Sequence, residues 1–445
     1  MSEKNVSTKD LRRTLGKRQL FSVAVGQITG AGVFALTGIA IAMTGRSVNI
    51  AFMLAALATI GLTIPMIFMS STIRLRGGQY TQAAVFLGKK FAGIYIIIYI
   101  FANISLAMYA LSFADYFFAL VPGIPSNLIA VIILTIVFVV NFFGVGKAAL
   151  LQSIMVVVMA GALALFIGFG MFKVEPGYFQ NPGFITHGIS GLLTATALLT
   201  FATGGAFVIL NLSAEAKNPK RDIPYVLILA TLIVAGIYAL MATVSAGVLP
   251  IGDVAGKPLT LVAKAILPKW LYVFFVIGGA MFALATTLNA QVSWVTKPIM
   301  QACVDNWFPR YFAKLHPKYN TPYILLIIFY FIGLIPILTG LNIEIIANSA
   351  LILNYVAILL LAIGLFRLPK LFPEQWKLST FHVNNFWFYF LNIVGLLVLL
   401  LQIAMLIMNL DKNGLIGNGL VLIISLIFGL SRSGKVRMEE SVEMS

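Results

Sequence analysis

The chain has one cysteine, Cys303, so no disulfide framework holds it together. A lone thiol near the end of an apolar stretch reads as a small apolar filler. Its three histidines, His187, His316 and His382, are far apart in sequence, and no HExxH or paired CxxC is present. GxSxG and Walker sequences are also missing, so zinc, serine-hydrolase and P-loop chemistry have no usual parts, and no catalytic residue is expected. Charge is scarce: Asp and Glu together number 14 and all charged residues make up 10%. With 60% hydrophobic residues, such a chain has too little polar surface to cover a soluble globule.

What is present is a series of apolar stretches, each about 20 residues long, the length that crosses a bilayer as a helix. Twelve are expected, at 19–43, 49–72, 92–119, 127–143, 147–172, 187–212, 224–248, 270–300, 321–340, 344–366, 386–410 and 414–431. Their continuity excludes a β-barrel, which reads as short alternating segments. The opening residues 1–18 are polar and lack the h-region and cleavage site of a signal peptide, so the first span is expected to stay in the mature chain. The predicted organisation is a cytoplasmic segment 1–18, one transmembrane domain 19–431 and a cytoplasmic tail 432–445. Leu75 to Phe91, with Gly77-Gly78 and Lys89-Lys90, is expected to lie partly along the cytoplasmic interface.

The net charge of +16 invites a nucleic-acid reading, but the basic residues are placed by topology. With the amino terminus inside, 24 of the 30 fall in cytoplasmic segments, the positive-inside bias for both termini in the cytoplasm of a multi-pass cell-membrane protein. Lipid is the expected partner besides a small solute, and nucleic acid is not.

Two glycine-rich breaks interrupt apolar stretches at matching places, Gly26-Gln27-Ile28-Thr29-Gly30-Ala31-Gly32 in the first and Phe201-Ala202-Thr203-Gly204-Gly205 in the sixth. An unpaired backbone group in hydrocarbon costs several kcal/mol, so a spanning helix unwinds only where protein or a cavity supplies partners. The breaks fall at equivalent positions of two five-span halves, 19–172 and 187–366, of opposite orientation because five is odd, with 386–431 additional. That is the pattern of a secondary transporter's midplane site. Packing by small residues is the competing explanation. Resuming at Gly30-Ala31-Gly32 presents free amides and a positive dipole end, which suit a carboxylate. The other break presents carbonyls near Phe201 to Gly204, which suit an ammonium. A zwitterionic amino acid satisfies both.

GQITGAGVF resembles the GxxxGxGxF signature of the first span in the amino acid-polyamine-organocation family of amino acid permeases. FATGGAFVILNLSAEAKNPKRDIP is similar to that family's sixth span and the loop after it, and TKPIMQACVDNWFPRYFAKLHPKYNTP to the loop after its eighth. The resemblance implies an all-α leucine-transporter fold, with five plus five inverted spans, two further helices, broken helices 1 and 6, and alternating access. It implies that the amides of Ala31 and Gly32, next to Gly30, hold a substrate carboxylate. Carbonyls of Ile28, Phe201 and Gly204, with Ala202 beside them, would hold the amino group, and Phe201 would be an aromatic gate. Asn103 and Leu106 in the third span and Gln291 in the eighth would face the substrate side chain.

No acid falls at a pocket position, so a small neutral L-amino acid is expected rather than a cationic amino acid or a polyamine; a channel or receptor is the alternative of another class. Asp115, an acid within the third span, is a functional suspect by its location or else a surface acid near the outer face. Glu215, Lys217, Lys220 and Arg221 are expected to form a cytoplasmic cluster. Coupling stays open between exchange, Na+ and H+. Several family members carry a lysine in the fifth span, and Met159 stands there instead. Gly26, Thr29, Ala283, Thr286 and Thr287 resemble the oxygen set of a sodium site, while threonines on packed helices often bond back to their own helix. No resident cofactor is expected.

Overall fold

The computed structural model describes residues 11, 13–121, 123–180, 183–341, 343–408, 412–438 and 442–443. It is helical almost throughout. The first apolar stretch is two helices, α1 (Lys17–Ile28) and α2 (Ala31–Thr44), separated by Thr29 and an extended Gly30. There follow α3 (Val48–Thr72), α4 (Gly78–Leu87), α5 (Lys89–Ala102), α6 (Ser105–Leu120), α7 (Ser126–Phe142) and α8 (Val145–Met171). The sixth stretch is α9 (Gly188–Thr203), which gives way at Gly204-Gly205 to a 3-10 turn over Ala206–Leu212. α10 (Pro219–Gly247) starts with proline at its first position and Asp222 in its first turn, a residue pairing that suits a helix start.

Short helices α11 (Ile251–Val254) and α12 (Thr260–Ile266) lead to α13 (Lys269–Phe274), which passes through a π-helical turn into α14 (Phe282–Val304). α15 (Tyr323–Leu338) and α16 (Ile343–Leu365) come next. The chain ends with α17 (Leu368–Leu371), α18 (Pro373–Lys377), α19 (Asn385–Met408) and α20 (Lys412–Arg432). A two-residue ladder joins Arg74–Leu75 to Val442–Glu443.

Among the described residues, nine helical stretches are long and apolar enough to cross a membrane, and α7 and α15 are shorter apolar helices. Side chains such as Leu57, Leu150, Val157, Ile189, Leu397 and Ile427 stand more than half exposed, the surface that a hydrocarbon solvent accepts and water does not. The protein is a multi-pass membrane protein. Helices meet through small residues: Ala51 and Ala55 of α3 and Ala235 and Ala242 of α10 are fully buried, and Phe52 packs edge-on to Tyr238 at 5.4 Å.

Helix neighbours come in matched sets. α3 packs along α10, α3 against α9 as α10 against α1, and α8 against α14 as α16 against α5.

The third apolar stretch is one membrane-length helical stretch, Lys89–Phe118, that carries a turn: α5 stops at Ala102, and Asn103-Ile104 form the turn before α6. Asn103 makes that turn tolerable, since its Nδ2 donates to the Tyr99 carbonyl at 2.7 Å. In the segment 75–91, α4 lies within the protein. Gln79, Tyr80, Thr81 and Gln82 of α4 are buried, and Asn211 accepts from the Gln79 amide at 2.9 Å and donates to its Oε1 at 3.1 Å, so α4 is wedged into protein. Tyr80 donates to Asp305 at 2.7 Å; burial first, and then the Asp305 charge, pushes its hydroxyl well above the usual phenol range.

Candidate functional site

The two breaks meet. A methyl group placed on Gly32 would lie 2.9 Å from the Cα of Ala202, and one on Gly205 would lie 3.3 Å from the Gln27 carbonyl oxygen. Glycine at these positions lets α2 approach α9 and the two unwound segments approach one another. Gly205 also has φ +109°, a conformation that L side chains rarely adopt.

At the first break the Gly30 amide donates to the Ile28 carbonyl at 2.8 Å, and the Tyr238 hydroxyl approaches that same oxygen at 3.4 Å. Gly30 has therefore used its donor, and Ile28 much of its acceptor. The amides of Ala31 and Gly32 open α2, where the first donors of a helix have no partner within it. At the second break the last carbonyls of α9, from Thr200 to Thr203, are left over in the same way. The Thr200 oxygen already accepts from Thr59 at 3.4 Å, and Thr59 and Thr203 share a hydroxyl contact of 2.7 Å.

Between the breaks lies a cavity of about 340 Å³. Of the residues singled out in the sequence, Ile28, Gly30, Gly32, Asn103, Phe201, Ala202, Gly204 and Gln291 line it. Leu106 does not: it is fully buried, and its Cβ faces Gly333 of α15.

The cavity also has walls that the sequence reading missed. Ser105, Met108, Tyr109 and Ser112 recur at helical spacing along one face of α6, and Ile343, Ala347, Ala350, Asn354 and Ile358 do so on α16. Polar and aromatic residues such as Gln27, Thr59, Thr63, Gln79, Tyr99, Trp294 and Tyr355 also line it, and Trp294 donates to Gln27 Oε1 at 3.0 Å. Among the described residues no Asp, Glu, Lys, Arg or His lines the cavity.

The sequence model of the family described as amino acid permease matches residues 15–430. The chain belongs to this family. Its relatives are transporters rather than enzymes. The permease is 27% identical to a branched-chain amino acid permease of Bacillus subtilis, an alignment covering 71% of this chain and 72% of the relative. It is 26% identical to a methylthioribose transporter of the same organism, over 71% and 72%. A cationic amino acid transporter of Arabidopsis thaliana is 25% identical over 71% of this chain and 59% of its own.

The hydroxyls compared with a sodium site each donate to a backbone carbonyl. Thr287 donates to the Gly26 carbonyl at 2.7 Å and contacts the Ala283 carbonyl at 3.0 Å; Thr286 donates to Ala283 at 2.8 Å and Thr29 to Val25 at 2.7 Å. What lies against Gly26 is the Gln152 amide, joined through Asn289 (2.7 Å) to Asn141 (2.9 Å). This buried chain of neutral amides ties α1 to α7, α8 and α14. Among the described residues no group of three His, Cys, Asp or Glu side chains could hold a metal.

At the end of the bundle that holds the N-terminal segment, Glu215 accepts from Lys297 at 2.9 Å, both nearly inaccessible, and the Leu15 amide donates to the Glu215 carbonyl at 3.0 Å. Arg74 donates to the carbonyls of Ser213 (3.1 Å) and Ala214 (2.9 Å). Glu215 is thus paired with α14 rather than with Lys217, Lys220 or Arg221. Asp115 is exposed on α6 and is absent from the cavity lining.

Proposed function

We propose that the permease carries small neutral L-amino acids across the cell membrane by alternating access. Substrate sits between the two breaks, its carboxylate at the amides of Ala31 and Gly32 and its ammonium at the carbonyls left over at the end of α9. The single observation that carries this reading is the cavity bounded by both breaks with no formal charge among the described residues of its lining. Backbone groups of opposite polarity suit the two charged ends of a zwitterion, and the distal charge of arginine or lysine would meet no carboxylate among those residues. The branched-chain relative agrees in substrate class, and the cationic relative does not.

In this reading the chain spans the membrane twelve times with both termini inside. Residues 19–172 and 187–366 are inverted repeats, for which the matched helix neighbours are the support. Phe201, at the end of α9, closes the outer path, and the bundle of α1, α2, α3, α9 and α10 rocks against the remainder. Transport is proposed to run by exchange of internal for external substrate. Uptake into proteoliposomes tests the proposal: labelled alanine, serine or leucine should accumulate saturably with internal substrate present, without a sodium gradient. Uptake of arginine with no uptake of any neutral amino acid contradicts it.

A further inference from the structure

Most side-chain amides of the cavity wall are engaged with other side chains. Gln27 accepts from Trp294 at 3.0 Å, Gln79 from Asn211 at 3.1 Å, and Asn103 from Gln291 at 2.7 Å. Asn354 of α16 lines the same cavity, and among the described residues nothing hydrogen-bonds its side chain. It is also exposed. That exposure is toward the cavity and not toward lipid. Ile345 and Ile363, 46% and 47% exposed, mark the lipid side of α16, and each lies nine residues from Asn354, about two and a half turns, which puts Asn354 on the opposite side. Its own side is shared with Ala347, Ala350 and Ala357, which also line the cavity and whose short side chains leave room around the amide.

α16 packs against α4, α5, α6 and α19, whereas the two breaks belong to α1, α2 and α9. An α-amino acid held by its charged ends at the breaks therefore meets α16 with its side chain. A carboxamide both donates and accepts, and an accessible one is satisfied by water until a ligand displaces that water. An apolar side chain would leave it unpaired, while a hydroxyl or a second carboxamide would replace the lost bonds. Resting on the reading above, we infer that Asn354 is a specificity-determining residue that selects amino acids with a hydroxyl or carboxamide side chain: serine, threonine, asparagine and glutamine.

Threonine and valine have nearly the same shape, as do asparagine and leucine, and only the first of each pair can bond an amide. Competition with labelled alanine in proteoliposomes should show the first binding more tightly than the second by about 5-fold or more, the low end of the cost of a polar group left unpaired. Asn354→Leu, confirmed as folded by its melting temperature and elution profile, should bring both ratios near one. Valine competing as well as threonine, and leucine as well as asparagine, in the unaltered protein overturns the inference. Preferences that persist in Asn354→Leu also overturn it, since another group would then be reading the side chain. Absence of competition by any α-amino acid refutes instead the reading on which it rests.

Discussion

Lys297 and Glu215 form an ion pair that should be costly to break and cheap to replace. Their side chains are 5% and 4% exposed and 2.9 Å apart, and Glu215 Oε2 has no partner of its own. At an effective dielectric constant of about 20 the attraction over that distance is about 6 kcal/mol, which is set against the desolvation of both groups. Lys297→Met removes the attraction but leaves a carboxylate enclosed by α14 and the segment after the second break, and such losses run to about 3–5 kcal/mol. Glu215→Gln leaves an enclosed ammonium and should cost a similar amount. Together the two substitutions leave no charge, so the double variant should be more stable than either single one, with a coupling of about 2 kcal/mol. Thermal unfolding in detergent, followed by tryptophan fluorescence, measures this. Single variants within about 0.5 kcal/mol of the parent, or a double variant no better than the worse single, would refute the reasoning.

Other outcomes follow from the same geometry. A methyl on Gly26 would lie 1.7 Å from Gln152 Nε2, so Gly26→Ala should destabilise by about 1–3 kcal/mol, and Gln152→Ala should restore part of the loss by making room. Gly205→Ala places a side chain at φ +109° and should cost about 1–3 kcal/mol, with initial uptake rates lowered as well; an unaltered melting temperature would count against the break being rigid. Thr287→Ala removes the 2.7 Å bond to the Gly26 carbonyl and should lower the melting temperature equally with and without sodium; a sodium-dependent difference would indicate a cation site.

The apolar stretches were legible because a helix in hydrocarbon needs about 20 residues without charge, and each of those stretches is helical in the structure. The breaks were legible because GAG and TGG interrupt otherwise unbroken runs. The turn at Asn103-Ile104 was not, since asparagine inside an apolar run is equally consistent with an interhelical bond, which it also makes to Gln291. Which face of α16 borders the cavity was hidden, because lipid, neighbouring helices and cavity all accept apolar side chains, and Asn354 and Tyr355 were overlooked. On α6 the stripe Ser105, Tyr109 and Ser112 marks the cavity face, and Leu106 lies off that stripe. The amide chain of Gln152, Asn289 and Asn141 joins residues 137 and 148 positions apart. Only the packed helices bring them together.

The central claim is that the two breaks together hold both charged ends of an α-amino acid. Competition against labelled alanine in proteoliposomes by unlabelled alanine, alanine methyl ester, propionate and ethylamine tests it directly. The account predicts competition by alanine and none by the three analogues that lack a free ammonium or a free carboxylate. Equal competition by propionate or by ethylamine would contradict it.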